Sequence, residues 1–154
     1  DGFEVDADGL SVLVRKADLR LDLGGIGKGF AIDEIVEWLQ ADAEIEHAFI
    51  DAGGSTMYAL GNHPGAEGWP VNLGPDSVIA LTGQALSASG FEVQGYHVID
   101  PRTGEAAGKD RKRSWAFADS AALADALSTA ALVMTSEEID AFSQQHPEIT
   151  IMLV

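Results

Sequence analysis

The stretch Leu19-Arg20-Leu21-Asp22-Leu23-Gly24-Gly25-Ile26-Gly27-Lys28-Gly29-Phe30-Ala31-Ile32-Asp33-Glu34-Ile35-Val36-Glu37-Trp38-Leu39 reads as a short strand, a glycine-rich loop and a helix in succession. The strand is expected over 19–23 and the loop over 24–29. In the helix, Ile32, Ile35, Val36 and Leu39 fall on one face, with Asp33, Glu34 and Glu37 elsewhere. A strand, a glycine loop and a helix together offer backbone N–H groups to an anion. Two well-known versions of that geometry fail here. A P-loop needs serine or threonine after Gly-Lys, and Gly29 follows Gly27-Lys28. The dinucleotide fingerprint counted from Gly25 and Gly27 places Phe30 where its third glycine belongs. On the loop alone, a tight turn without a ligand is an equally good reading.

Outward from this stretch the chain alternates strands and turns. Residues 3–7 and 10–14 flank Asp8-Gly9, which favours a two-residue hairpin turn. A strand is expected over 48–51, running into Ala52-Gly53-Gly54. Short apolar runs at 57–60, 71–73, 78–81 and 97–99 are separated by glycine, proline and asparagine. Asp100-Pro101-Arg102-Thr103-Gly104 reads as a turn, 115–118 as a strand and 149–154 as a closing strand. A long helix is expected over 120–134, with Asp119 or Ser120 as N-cap, and a shorter one from Ser136. No internal repeat or low-complexity linker interrupts the pattern. The fold class is α+β: a mixed, largely antiparallel sheet packed with two to three helices. Residues 1–154 read as one domain, or as the C-terminal portion of one.

The 154 residues are 46% apolar and 22% charged, enough to bury a core. No run approaches the length of a membrane span. Cysteine is absent, which excludes disulfides, thiolate metal sites and cysteine nucleophiles. A net charge of -16 argues against nucleic acid, whose phosphates demand a basic face. Of nine basic residues, five lie between Arg102 and Arg113: Arg102, Lys109, Arg111, Lys112 and Arg113. They read as a solvated loop or as a rim that receives phosphates. The chain opens at Asp1 with no signal-like stretch, as expected of a processed or excised piece.

The helix over 120–134 carries one charge, Asp125, with Thr129 one turn on. Leu123, Leu127 and Met134 share one face, and Asp125 and Thr129 the opposite one, which also bears Ala121, Ala122 and Leu132. A helix apolar all round is usually buried, and a buried carboxylate must be paired, hydrogen-bonded or bound to metal. A carboxylate and a hydroxyl one turn apart suit Mg2+. The competing reading is that Asp125 caps a loop or pairs with arginine while Thr129 bonds back to its own helix. His97 sits at a strand-to-turn boundary where a side chain can meet a ligand. The histidines are too scattered for zinc, and no Gly-x-Ser-x-Gly elbow accompanies Ser55 or Ser89.

Together these segments resemble the ApbE family, the FAD:protein FMN transferases. Asp22 to Asp33 is similar to D-L-G-G-I-A-K-G-Y-A-V-D. Gly53 to Gly61 and Trp69 to Pro75 resemble G-G-D-I-x-x-x-G and P-W-x-V-G-I. Tyr96 to Gly104 resembles H-H-I-I-D-P-R-T-G, and Ala124 to Ala130 resembles A-D-A-L-x-T-A. The resemblance implies an enzyme that binds FAD and Mg2+ and transfers FMN to a threonine hydroxyl of a partner flavoprotein, releasing AMP. Some members instead hydrolyse FAD to FMN and AMP, and a non-catalytic flavin-binding module is a third outcome. By resemblance Asp125, Thr129 and a backbone carbonyl near Gly25 hold the metal. Asp22, Gly24, Lys28, His97 and Ile99 fall where the family contacts FAD, and His97 where it activates the acceptor hydroxyl. Departures are Ser55 for the usual aspartate, Ala88 and Phe91 around the Thr-Ser-Gly segment, and Tyr96 for the first histidine. Family members are commonly twice this length, their N-terminal part holding both ends of the flavin dinucleotide. Self-association or a missing N-terminal segment is therefore expected. An extracytoplasmic or periplasmic location is also implied, though no targeting signal is visible in this chain.

Overall fold

A computed structural model of the chain describes residues 2–6, 8–9, 11–74, 77–91, 98–107 and 112–154. His97 and Tyr96 lie outside the described residues, as do Lys109 and Arg111 of the basic run. Among those described, the central sheet has five strands in the order β3-β4-β7-β8-β9. They are β3 (Ala48–Ala52), β4 (Thr56–Leu60), β7 (Gln84–Gly90), β8 (Arg113–Ala118) and β9 (Thr150–Leu153). Every pairing in it is antiparallel, so the expected α+β class holds and the sheet is less mixed than expected. Two antiparallel ribbons stand apart: β1 (Phe3–Val5) with β2 (Val12–Val14), and β5 (Trp69–Gly74) with β6 (Ser77–Leu81).

Side-chain alternation divides the sheet into two unlike faces. One face carries Met57, Ala59, Leu86 and Trp115, which pack with Val71 and Leu81 of the β5–β6 ribbon. The other carries Thr56, Ala85, Ser87 and Ala118 and receives two helices, α1 (Gly27–Ala41) and α2 (Ala121–Ala131). Ile32 and Val36 of α1 and Ala121 and Ala124 of α2 close this second core with Ile149. A third helix, α3 (Ser136–Gln145), buries Ile139 and precedes β9.

Two expectations need correction, and one strand, β7, has no counterpart among the expected ones. Residues 19–23 form no strand, and Leu21 and Leu23 are exposed, Leu23 at 68%. No sheet edge of the described residues meets them, so alternation alone could not make a strand. The central strand β7 carries no run of large apolar residues, because its helix-facing side chains are alanine and serine. The buried face of α2 is Ala121, Ala124, Asp125, Ser128 and Ala131, whereas Leu123 is exposed. Small residues face inward because the helices approach closely: a Cβ at Gly29 would lie 2.1 Å from the Ala121 carbonyl oxygen. The terminal hairpin forms, but its strands are shorter and its loop longer than the expected two-residue turn, with the Asp6 N–H donating to the Ser11 carbonyl at 3.0 Å.

Candidate active site

The glycine loop turns tightly before α1. The Gly27 N–H donates to the Leu23 carbonyl at 2.7 Å, and the Ile26 N–H to the same oxygen at 3.1 Å. Asp22 Oδ1 accepts the Gly24 N–H at 2.8 Å, tying the loop to its own aspartate. The α1 N-cap is Ile26, whose side chain accepts nothing, so this helix start has no local cap. The missing acceptor comes from α2: Asp125 Oδ2 accepts the Gly29 N–H at 3.1 Å.

Asp125 is 2% exposed and is the centre of a buried polar network. The Lys28 ammonium lies 3.1 Å from its Oδ1 and 3.3 Å from its Oδ2. Oδ1 also accepts the Thr56 hydroxyl at 3.1 Å and the Ser87 hydroxyl at 3.3 Å. The Lys28 ammonium donates as well to the Gly24 carbonyl at 3.2 Å. Thr129 Oγ1 donates to the Asp125 carbonyl at 3.3 Å and pairs with Ser89 Oγ at 3.1 Å. Ser128 joins Ser87 and Ser89, and the Ser114 hydroxyl donates to the Ser128 carbonyl. Among the described residues no buried side-chain nitrogen or oxygen lacks a partner.

The second helix start mirrors the first. Asp33 of α1 accepts the Ala121 N–H at 2.7 Å, the Ala122 N–H at 3.0 Å and the Ser120 hydroxyl at 2.7 Å. Each helix therefore holds the other's N-terminus with a carboxylate, which matches the positive end of the helix dipole. This exchange fixes α2 against the loop, and with it the direction in which Asp125 and Thr129 point.

The structure thus brings Asp22, Gly24, Gly25, Lys28, Asp125 and Thr129 into one neighbourhood. A Cβ on Gly25 would sit 3.5 Å from Thr129 Oγ1, which places the loop directly beside that hydroxyl. The donors are hard oxygens: one carboxylate, one hydroxyl and loop carbonyls, with an ammonium already resting against three of them. That set fits Mg2+, which takes one or two carboxylates and leaves room for substrate phosphates. Among the described residues no group of three or more His, Asp or Glu gathers to hold a metal by itself. The competing expectation for Asp125 also has substance. It caps α1, its cationic partner is Lys28 rather than an arginine, and Thr129 bonds back to its own helix.

Ile99 stands half exposed and forms an antiparallel bridge to Ala106. Its neighbour Val98 packs on Leu132, which ends α2. Arg102 secures this segment. Its Nε and Nη2 donate to Asp100 and its Nη1 to both oxygens of Glu138, at 3.0–3.3 Å. Nη2 also donates to the Val133 carbonyl. Arg102 is therefore committed to partners within the chain, which weighs against its part in a phosphate rim, one of the two readings of the basic run. Hydrogen bonds from Arg102 hold the Asp100 carboxyl below its ordinary range. Glu138 is also lowered, first by the Thr135 N–H and then by Arg102. Tyr58 is raised by burial, with Asp119 and Asp33 adding to it.

Thr56, Ser87, Ser89, Ser128 and Asp33 are site residues that spacing alone did not single out. Thr56 on β4 and Ser87 and Ser89 on β7 show as site residues only once the pairing register is known, and Ser128 on α2 and Asp33 on α1 only once the two helices are seen to pack together.

The ApbE family model matches residues 2–153. An FAD:protein FMN transferase of Treponema pallidum is 32% identical over 94% of this chain and 46% of its own length. One from Klebsiella pneumoniae is 28% identical over 65% of this chain and 34% of its own. The ApbE protein of Thermotoga maritima superposes with a TM-score of 0.79 at 28% identity, covering 99% of this chain and 54% of that one. The apo flavinyl transferase ApbE of Pseudomonas stutzeri gives 0.80 at 25% identity, over 99% and 50%. A mutant flavin transferase ApbE of Vibrio cholerae gives 0.82 at 21% identity, over 99% and 49%, a likeness of fold. The chain spans about half the length of the curated relative from Treponema pallidum and of these solved structures. A family match running almost end to end, on a fold shared with solved ApbE proteins, establishes that this chain belongs to the ApbE family.

Proposed function

We propose that this chain carries the pyrophosphate- and metal-handling site of an FAD:protein FMN transferase. The observation that carries the reading is the meeting of Lys28, Asp125 and Thr129 beside the Gly24-Gly25 loop. The two curated relatives, both FAD:protein FMN transferases, support it. In this reading Asp125, Thr129 and a loop carbonyl at Gly25 hold Mg2+. The bound ion would neutralise pyrophosphate oxygens and stabilise charge as the bond between them breaks. The α1 N-terminus and Lys28 bind and orient the phosphates. Asp22, Gly24 and Ile99 line the path of the flavin dinucleotide. His97 takes the proton of the acceptor threonine hydroxyl. That oxygen bonds to the phosphorus of the FMN half, the pyrophosphate P–O bond breaks, and AMP leaves with its electron pair. The acceptor is a flavoprotein, and the setting is extracytoplasmic or periplasmic.

Ser55, where the family carries aspartate, favours a second reading in which the flavin binds without turnover. The test is FAD titration with Mg2+ and with EDTA, following flavin fluorescence and AMP together. A threonine-bearing acceptor domain should raise AMP release and become yellow. Flavin binding indifferent both to EDTA and to Asp125→Ala would overturn the metal assignment. Mg2+-dependent binding with no AMP would select the second reading.

A further inference from the structure

The Lys28 ammonium stands where a small cation facing Asp125 would stand. It touches both carboxylate oxygens, at 3.1 and 3.3 Å, and the Gly24 carbonyl, at 3.2 Å. We propose that Lys28 is a tethered cation that occupies the Asp125 carboxylate, one of the three proposed metal ligands, while no metal is bound and leaves it when a pyrophosphate arrives. Metal and pyrophosphate binding are then coupled through one side chain. The proposal rests on the assignment of Asp125 as a metal ligand.

Three features make the exchange feasible. First, Asp125 keeps its place when Lys28 departs, because the Gly29 N–H and the Thr56 and Ser87 hydroxyls still hold it. The buried carboxylate stays hydrogen-bonded and accepts whichever cation comes. Second, Lys28 has an exit: its side chain is 39% exposed while its partner is 2% exposed. The ammonium is a compact point charge on a flexible stem, equally suited to a carboxylate or a phosphate. Third, an ammonium and a divalent ion cannot share the same two oxygens without strong like-charge repulsion. Either the lysine excludes the metal or the metal displaces the lysine. A pyrophosphate tips that balance by giving the ammonium another anion to pair with while adding oxygens for the metal.

The coupling is reciprocal, so FAD should tighten Mg2+ binding by the same factor that Mg2+ tightens FAD binding. Part of that factor comes from the phosphates' own affinity for the ion. The part owed to Lys28 is isolated by measuring the metal alone. Lys28→Gln removes the charge but keeps a donor toward Asp125. Calorimetric titration with Mg2+ alone should show the variant binding at least about tenfold tighter than the wild type. FAD should then add less to its Mg2+ affinity than it adds to that of the wild type. Lys28→Arg guards against a fold defect in the neutral variant. It should weaken Mg2+-alone binding several-fold, because a guanidinium grips a carboxylate with two parallel bonds. Both variants are first checked for a cooperative thermal melt.

If Lys28→Gln binds Mg2+ alone no more tightly than the wild type, while Asp125→Ala abolishes binding, Lys28 is not a placeholder and the metal site stands. If Asp125→Ala leaves Mg2+ binding intact, or no form binds Mg2+ with or without FAD, the metal assignment fails and the proposal fails with it.

Discussion

At the scale of single residues, Gly27 and Gly29 stand two apart at the start of α1 and behave oppositely. A Cβ at Gly29 would meet the Ala121 carbonyl at 2.1 Å and the Ala122 Cα at 2.6 Å, backbone atoms that cannot turn aside. Gly29→Ala must push α1 from α2, and we expect a loss of about 3 kcal/mol or more, read from denaturant unfolding. At Gly27 the added Cβ would meet only Leu23 Cβ at 3.7 Å, an ordinary contact. Gly27→Ala should leave stability unchanged or raise it by up to about 1 kcal/mol, and alanine is what the resembling family motif carries there. Asp125 is the other decisive residue. Asp125→Asn removes the charge and one acceptor, weakening what Lys28, Gly29, Thr56 and Ser87 share. A loss of about 1–3 kcal/mol in thermal stability is expected, together with loss of Mg2+-dependent FAD binding.

At the scale of elements, the reciprocal caps decide how the two helices meet. Asp33 accepts three hydrogen bonds at the start of α2, so Asp33→Ala should cost about 1–2 kcal/mol. It should also weaken Mg2+-dependent FAD binding, although Asp33 lies in another helix from the proposed ligands. Thr135→Ala, which breaks the capping box of α3, should cost a similar amount and leave FAD binding unchanged. Equal FAD affinity in the two variants would count against Asp33 as a positioning residue. The Arg102 clamp adds a pH dependence. Asp100 and Glu138 are held below their ordinary values of 3.8 and 4.5. Depressed carboxylates contribute stability above those values and lose it as the pH falls through the lowered ones. The difference in melting temperature between wild type and Arg102→Ala should therefore be largest near neutrality and shrink below about pH 4.

At the scale of the whole molecule, stability is unevenly spread. No described residue before Gly29 is buried. Among the described residues the β1–β2 ribbon pairs only with itself, with Phe3, Val5, Val12, Leu13 and Val14 all exposed. An isolated two-stranded ribbon is marginal in water, and such segments open first. Arg15, Lys16 and Arg20 lie in this arm. Brief trypsin treatment should cut there and leave a resistant core beginning at or near 21, whereas the clamped Arg102 should resist. Mass spectrometry of the first fragments checks this, and a first cut at Arg102 would contradict it.

What could be read without coordinates was what is encoded within a turn or two of chain. The hairpin around Asp8-Gly9, the helix after the glycine loop, an N-cap at Asp119 or Ser120 and the helix near Ser136 follow from local periodicity and capping chemistry, although α1 takes in Gly27 to Gly29, which read as loop. The spacing of Asp125 and Thr129 was equally plain. Hidden from sequence were the central place of β7, the inward face of α2 and the identity of Asp125's partners. Lys28 and Asp125 are 97 positions apart, and Thr56 and Ser87 reach the carboxylate only through the register of β4 on β7. A strand of alanine and serine carries no hydrophobic signal. Its small side chains become meaningful only when a helix must approach closely and a buried charge needs hydroxyls. Residues 19–23 teach the converse: alternation proposes a strand, but a strand exists only where another backbone supplies hydrogen bonds.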